Sequence, residues 1–293
     1  MSLLLEVLQI VAPVFFLAAI GFAWVKAGFE YRVQFVTRLA MTLSVPCLIF
    51  VALVETEIDP KALRDTAIAT LVAYSVLGAV LFGICRLARL DVRTFWAPLT
   101  FGNTGNLGLP LALFAFGSEG FGFAVVIFAI MAVLSFTIGI YAVSGGGSLM
   151  NVVKEPIVGA TLLGGVFLVM DWSLPQWSMN TLDLIGQIAI PLMLITLGVA
   201  ISRLQPGAVL RASVLSVVKL VLCFAIAYWA GLQFGLGPVA LAVLVLQVST
   251  PVAVTSYMLA EKYEADSTEV AGLVVVSTLL CVFAIPVILA LFV

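Results

Sequence analysis

The sequence predicts an all-α integral membrane protein of ten transmembrane helices in two inverted five-helix repeats. Three observations carry that expectation. The composition is too apolar for a soluble domain, ten apolar stretches have the length of membrane spans, and prolines recur at a near-constant offset in the two halves.

Of the 293 residues, 63% are hydrophobic and only 10% charged, against about 25% charged in an ordinary soluble domain. A helix needs roughly 20 apolar residues to cross the hydrocarbon core. Stretches of that kind run over residues 4–25, 33–54, 66–85, 95–116, 121–143, 153–170, 182–201, 209–231, 238–259 and 270–292. The first is expected to be retained, because no Lys or Arg precedes Lys26 and a signal peptide opens on a basic segment.

Lys and Arg separate by side. Lys26, Arg32, Arg38, Arg86, Arg89, Arg93, Lys154, Arg203, Arg211 and Lys262 follow helices one, three, five, seven and nine, and only Lys61 and Arg64 lie on the opposite side. Basic loops stay cytoplasmic, so both termini of this multi-pass cell-membrane protein are expected outside.

Several classes of function fall away. A net charge of −2 without a basic block gives nucleic acid nothing to hold. Histidine is absent, which removes His proton relays, Ser/His/Asp triads and the usual zinc sites. No enzyme, cofactor or metal site is expected. Cys47, Cys85, Cys223 and Cys281 lack CxxC spacing and read as packing residues. Gly117 to Gly120 and Gly120-Phe121-Gly122 are turns with no phosphate-binding GxxxxGK[ST], so an ATP-driven pump is unsupported.

The halves repeat. Pro13 in helix one and Pro156 entering helix six lie 143 residues apart, Pro46 and Pro191 in helices two and seven 145, and Gly102 and Pro251 in helices four and nine 149. Residues 1–143 and 151–293 then form two five-helix repeats, joined by a short Gly/Ser linker at 144–150. Five being odd, the second copy enters the membrane from the other side, an arrangement suited to alternating access.

Within the fourth stretch, Phe101 to Pro110 holds three glycines, two asparagines and a proline. Glycine weakens a helix, proline removes a donor, and asparagine competes for backbone hydrogen bonds. The backbone is expected to open there, and opened backbone in a membrane survives only against protein or a wet cavity.

Asn103-Thr104-Gly105-Asn106-Leu107-Gly108-Leu109-Pro110-Leu111 resembles the fourth-helix signature of the auxin efflux carrier family, in the bile acid/auxin transporter superfamily. Thr250-Pro251, followed by Met258-Leu259-Ala260-Glu261-Lys262-Tyr263 and Asp266, is similar to that family's ninth helix, and Leu43 to Phe50 to its second. The chain looks like a compact, prokaryote-type member, without the long central loop of the plant carriers. The resemblance implies a secondary transporter, with helices four and nine broken and crossing at the midplane, that moves a small organic anion, an auxin-like carboxylate or a dicarboxylate, by an elevator-type mechanism. Helices 1, 2, 6 and 7 would form the scaffold, and helices 3–5 and 8–10 the transport bundle. A sodium-coupled bile-acid-type symporter and an anion channel or sensor on the same scaffold are the alternatives. Two departures stand out: Gly102 replaces the proline of plant members, implying a looser break, and Val252 and Thr255 replace an amide side chain.

Asn103 is the first candidate for substrate contact, either as an amide donor to a carboxylate beside half-helix N-termini or as a partner for opened backbone. Gly102, Thr104, Asn106, Thr250, Pro251, Val252 and Thr255 complete the expected binding set. Gly102, Gly105, Pro110 and Pro251 are the expected breaks, Ser249 adds a hydroxyl beside Pro251, and Gly108 is read as packing. Gln247 and Gln187 are candidates for hydrogen bonds across helices, Gln247 also for a coupling role. Lys219, well inside helix eight, either snorkels past Arg211 to the basic side or serves as an inward-facing charge that offsets the anion or titrates in coupling. Glu6 and Asp183 read as solvated helix ends. Proton or sodium coupling and a homodimer through the scaffold stay open. The bilayer and the anion are the expected partners.

Overall fold

The computed structural model describes residues 3–55, 58–145, 156–170, 172–203 and 208–292, without the side chains of 3–8 and 158. Most of the 144–150 linker and Glu6's side chain lie outside this description. Fourteen helices, interspersed with three short π-helical segments, account for the described elements: α1 (Leu3–Lys26), α2 (Val33–Leu39), α3 (Val45–Val54), α4 (Pro60–Leu87), α5 (Val92–Thr100), α6 (Leu109–Leu134), α7 (Ile140–Ser144), α8 (Pro156–Met170), α9 (Gln176–Gln187), α10 (Ala189–Arg203), α11 (Val209–Gln233), α12 (Pro238–Val248), α13 (Val254–Lys262) and α14 (Ser267–Ala290). Among the described residues, seven helical runs are long and apolar enough to cross a membrane.

One run, Thr104–Ser144, has 41 residues, a rise of roughly 60 Å at 1.5 Å per residue and twice the core thickness. It is not straight. Gly117, at φ 63° and ψ −154°, breaks α6 where an L side chain would be strained. The arms lie side by side: a Cβ on Gly105 would meet the Phe128 ring, and one on Gly139 would meet Phe101. A second hairpin turns near Glu264, φ 53°, and sets α13 against α14.

Both expected helix-two and helix-seven prolines follow a distortion. Pro46 sits just after the π-helical segment Ala40–Ser44, and Pro191 just after the join between α9 and α10 at Ile188. The missing proline donor is accommodated where the regular ladder is already interrupted. Pro13, by contrast, lies inside an unbroken α1.

The described packing sorts the helices. α1 lies along α10 and α3 along α8 and α9, whereas α4 packs on α5, α6 and α11, α11 on α12 and α14, and α12 on α6. The α1–α10 contact is backbone to backbone: a Cβ on Gly198 would strike the Ala18 carbonyl, and one on Gly21 the Ile195 carbonyl. Small residues allow that approach where lipid supplies no hydrophobic drive.

Two helices start earlier than the apolar stretches 66–85 and 270–292. α4 begins at Pro60, capped by Asp59, whose Oδ1 accepts from Lys61 N at 3.0 Å. Likewise α14 starts at Ser267, with Asp266 accepting from Glu269 N at 3.1 Å. Polar first turns belong to helices whose apolar bodies begin later.

At the basic end, Arg93 ties the hairpins together, its Nε donating to Val143 O at 3.1 Å and its NH2 to Tyr263 O at 2.8 Å. Thr94 Oγ1 accepts from Asp266 N at 3.2 Å beside it. Arg93→Ala should lower stability by about 0.5–1.5 kcal/mol by removing two partly solvated hydrogen bonds to helix-end carbonyls, and Arg93→Lys, lacking the fork, should restore only part of it. Thermal unfolding in detergent checks both.

Candidate functional site

The chain opens twice. α5 ends at Thr100 and the π-helical segment Thr104–Gly108 begins after Asn103, while α12 ends at Val248 and α13 begins at Val254. The interruptions meet: Gly102 and Val252 form an antiparallel bridge, and Asn103 N donates to Pro251 O at 2.7 Å. Val252 N in turn donates to Ser277 Oγ at 3.0 Å.

Opening is narrower than the Gly/Asn cluster implied. Gly105 lies in the π-helical segment and Pro110 in the first turn of α6, so neither breaks the chain. Pro110 sits at a helix start, where its missing donor is tolerated. Nor is the break at Gly102 loose. A Cβ there would collide with Thr250 Oγ1 and press on the Thr250 carbonyl, so glycine is what allows the two segments to touch.

A cavity of about 40 Å³ lies at this junction, lined by Gly102, Asn103, Gly105, Asn106, Ala253, Thr255 and Ser256, with walls of Met41, Phe101, Phe128, Met131, Ala132, Ser135, Phe136 and Ile157. Asn103 is 4% exposed and its Nδ2 has no hydrogen-bond partner. Two helix starts, at Thr104 and Val254, border the same space, and first-turn N–H groups have no partner within their own helix. The cavity thus offers neutral donors and partial positive charge, with aromatic and thioether walls.

Not every expected binding residue faces it. Asn103, Asn106, Gly102 and Thr255 do. Thr250 and Pro251 instead line a separate small cavity with Ser249 and Lys219. Thr250 Oγ1 donates to Gln247 O at 2.7 Å, which turns it back along its own chain. Val252 contributes backbone, and Thr104 is fully buried with an unpartnered Oγ1 outside the cavity lining. Ser256, Met41, Ser135 and the phenylalanines were missed. Only Ser256 had a readable signal, a hydroxyl in the first turn after a break.

Two further expectations are corrected and one alternative is removed. Of the two readings of Lys219, snorkelling does not hold: it is 2% exposed and donates to Leu99 O at 3.2 Å. Gln247 makes no cross-helix bond among the described residues, since both its amide atoms are buried without partners against Gly108. Gln187 bonds along its own helix, Nε2 to Asp183 Oδ2 at 2.6 Å.

Two larger cavities flank the junction. One of about 840 Å³, with Arg203, Glu261 and Lys262 at its wall, shares Met41, Phe136 and Thr255 with the junction cavity. The other, of about 970 Å³, carries Glu55, Asp59, Glu119 and Asp183 and shares no lining residue with it. The junction cavity therefore shares a wall with the basic-side cavity and none with the acidic one.

An all-helical, many-span protein whose buried donors adjoin a large side-opening cavity is a polytopic membrane protein with an internal site. The chain belongs to the membrane transport protein family, whose model matches residues 6–152 and again residues 143–289. It is 28% identical over 263 residues to an uncharacterized transporter of Methanothermobacter thermautotrophicus, covering 85% of each chain. The resemblance to the auxin efflux carriers pointed to this family, and the protein is a membrane transporter.

Gly102→Ala should force the two breaks apart, at about 1–3 kcal/mol for the overlap. The expected result is a lower unfolding midpoint and lost transport; unaltered melting would show that the segments do not touch.

Proposed function

We propose that this transporter is a secondary carrier for a small organic anion, with a carboxylate held at the junction of the two breaks. The observation that carries this is Asn103 Nδ2, a buried donor without a protein partner in a cavity bordered by two helix N-termini. Helix N-termini attract anions through exposed amides and the macrodipole. No charged side chain lines the cavity, so selectivity would come from fixed dipoles rather than an ion pair. At about 40 Å³ the cavity has room for the carboxylate alone, and the substrate's body would extend past Met41 and Phe136 into the 840 Å³ cavity, whose mainly apolar wall favours an apolar body.

The reading includes ten spans in two inverted repeats, residues 1–143 and 151–293. Support comes from the Gly117 hairpin, which resolves the 41-residue run into two crossings, and from the paired family matches. α1 to α3 with α8 to α10 would be the scaffold, and the two hairpins with α4 and α11 the moving bundle. An elevator movement would carry the junction from the basic cavity to the acidic one. Both termini would lie outside, with the basic cavity cytoplasmic.

Uptake of radiolabelled indole-type and aliphatic carboxylates into proteoliposomes tests the function. Saturation and counterflow are expected; flux without counterflow would mean a channel. Asn103→Ala should weaken binding about 10- to 100-fold, the equivalent of one hydrogen bond to a charged group, without shifting the melting temperature. Wild-type affinity in that variant removes Asn103 from the site. In the conformation described, Thr255→Cys should react with a membrane-impermeant maleimide from the basic side alone, and protection by substrate is expected.

A further inference from the structure

The rear of the junction differs chemically from its front. An ordinary continuation of α5 would have Asn103 N–H bond Leu99 O, four residues back. At the crossing that amide is diverted to Pro251 O, at 2.7 Å. Leu99 O receives the Lys219 ammonium instead, at 3.2 Å. Nearby, the Ser249 carbonyl, at the C-terminal end of α12, accepts among the described residues only a Cys281 thiol contact at 3.8 Å. Two helix C-termini, each with partial negative charge, thus adjoin one buried ammonium.

A cavity of about 10 Å³ lies here, lined in part by Ser216, Lys219, Ser249, Thr250, Pro251 and Cys281. That is the scale of a single water. Ser216 Oγ and Ser249 Oγ are buried without partners beside it. Lys219 also points Nζ at Cys223 Sγ at 3.7 Å, and among the described residues no carboxylate pairs with it. A buried ammonium without a counter-ion is costly unless its surroundings carry negative potential. The carbonyl ends of two broken helices supply that potential. In transporters built from broken helices, such ends are where a coupling cation is coordinated.

We propose that Lys219 is a resident cation, its ammonium filling the place of a coupling ion behind the crossing, so that the carrier works without sodium. This rests on the carrier reading only for its statement about transport. Lys219 is here a positioning residue: it holds the end of α5 and so the orientation of Asn103 across the break, and does not touch the substrate.

The test is thermal unfolding of the purified full chain in sodium, potassium, choline and n-propylammonium chloride. Wild type should melt at one temperature in all four salts. Lys219→Ala should fall by about 5 °C in choline, the loss of one carbonyl partner, and regain at least half in sodium or n-propylammonium. Lys219→Met, which keeps the volume and loses the charge, should stay low in every salt. A Met variant as stable as wild type overturns the proposal, as does a wild type stabilised by sodium. Should Lys219→Ala fail to fold, the wild-type salt series and the Met variant still decide it. Wild-type flux equal in sodium and choline is expected, and sodium-dependent flux overturns the proposal. If no carboxylate is carried, the functional reading falls while the melting series still reports on Lys219.

Discussion

Backbone hydrogen bonding at the two interruptions is the constraint on which the rest of the structure depends. In a hydrocarbon setting an unpaired N–H or C=O costs several kcal/mol, so a broken helix persists only if its freed groups find other partners. Here each break partners the other. Asn103 N reaches Pro251 O, and Gly102 pairs with Val252. Where the breaks cannot serve each other, side chains step in: Ser277 for Val252 N, Lys219 for Leu99 O, Cys281 for Ser249 O. These three come from α11 and α14, which pack against each other.

That pairing divides the polar residues by face. Helix starts look toward the junction cavity with Asn103, and helix ends look toward Lys219. One surface of the crossing thus offers positive partial charge and the other negative, and each has a buried side chain of matching character. Asn103 Nδ2 is a donor without a protein acceptor, while the Lys219 ammonium has its carbonyl. The first arrangement is open to a ligand; the second is already filled.

Much of this was legible in the sequence, for identifiable reasons. Breaks at 101–103 and 249–253 are written in Gly102 and Pro251, residues that oppose helix locally, and the kink at Gly117 is equally local, although the turns expected over Gly117 to Gly122 shrink to Gly117 alone, Ser118 to Gly122 being helical. What could not be read is which way a side chain faces once the breaks meet. Thr250 and Thr255 look alike as hydroxyls flanking Pro251, yet one turns to Gln247 O and the other lines the front cavity. Lys219 was ambiguous for the same reason. Helical rise alone put it within reach of the basic side, and only the diverted Asn103 amide shows why Leu99 O holds it inside. Gln247 remains without an account: both amide atoms are buried unpaired against Gly108, and nothing in the described structure compensates them.

The proposed movement follows from the same bonds. Because the two hairpins are joined through their breaks, neither can slide without the other, and Arg93 adds a second tie at the basic end. The α1–α10 contact, closed by Gly21 and Gly198 at backbone distance, holds the opposite group of helices just as firmly. The two groups share an apolar core, and the 840 Å³ and 970 Å³ cavities lie along the seam between them. On the proposed reading, the bonds within each group and the cavities along the seam favour displacement of one group past the other. Residues on the seam such as Met41 and Phe136, which line both the junction and the basic cavity, would then be the gate on that side. Their flexible or planar side chains can shift without breaking a hydrogen bond, as a gate in a low-dielectric medium must.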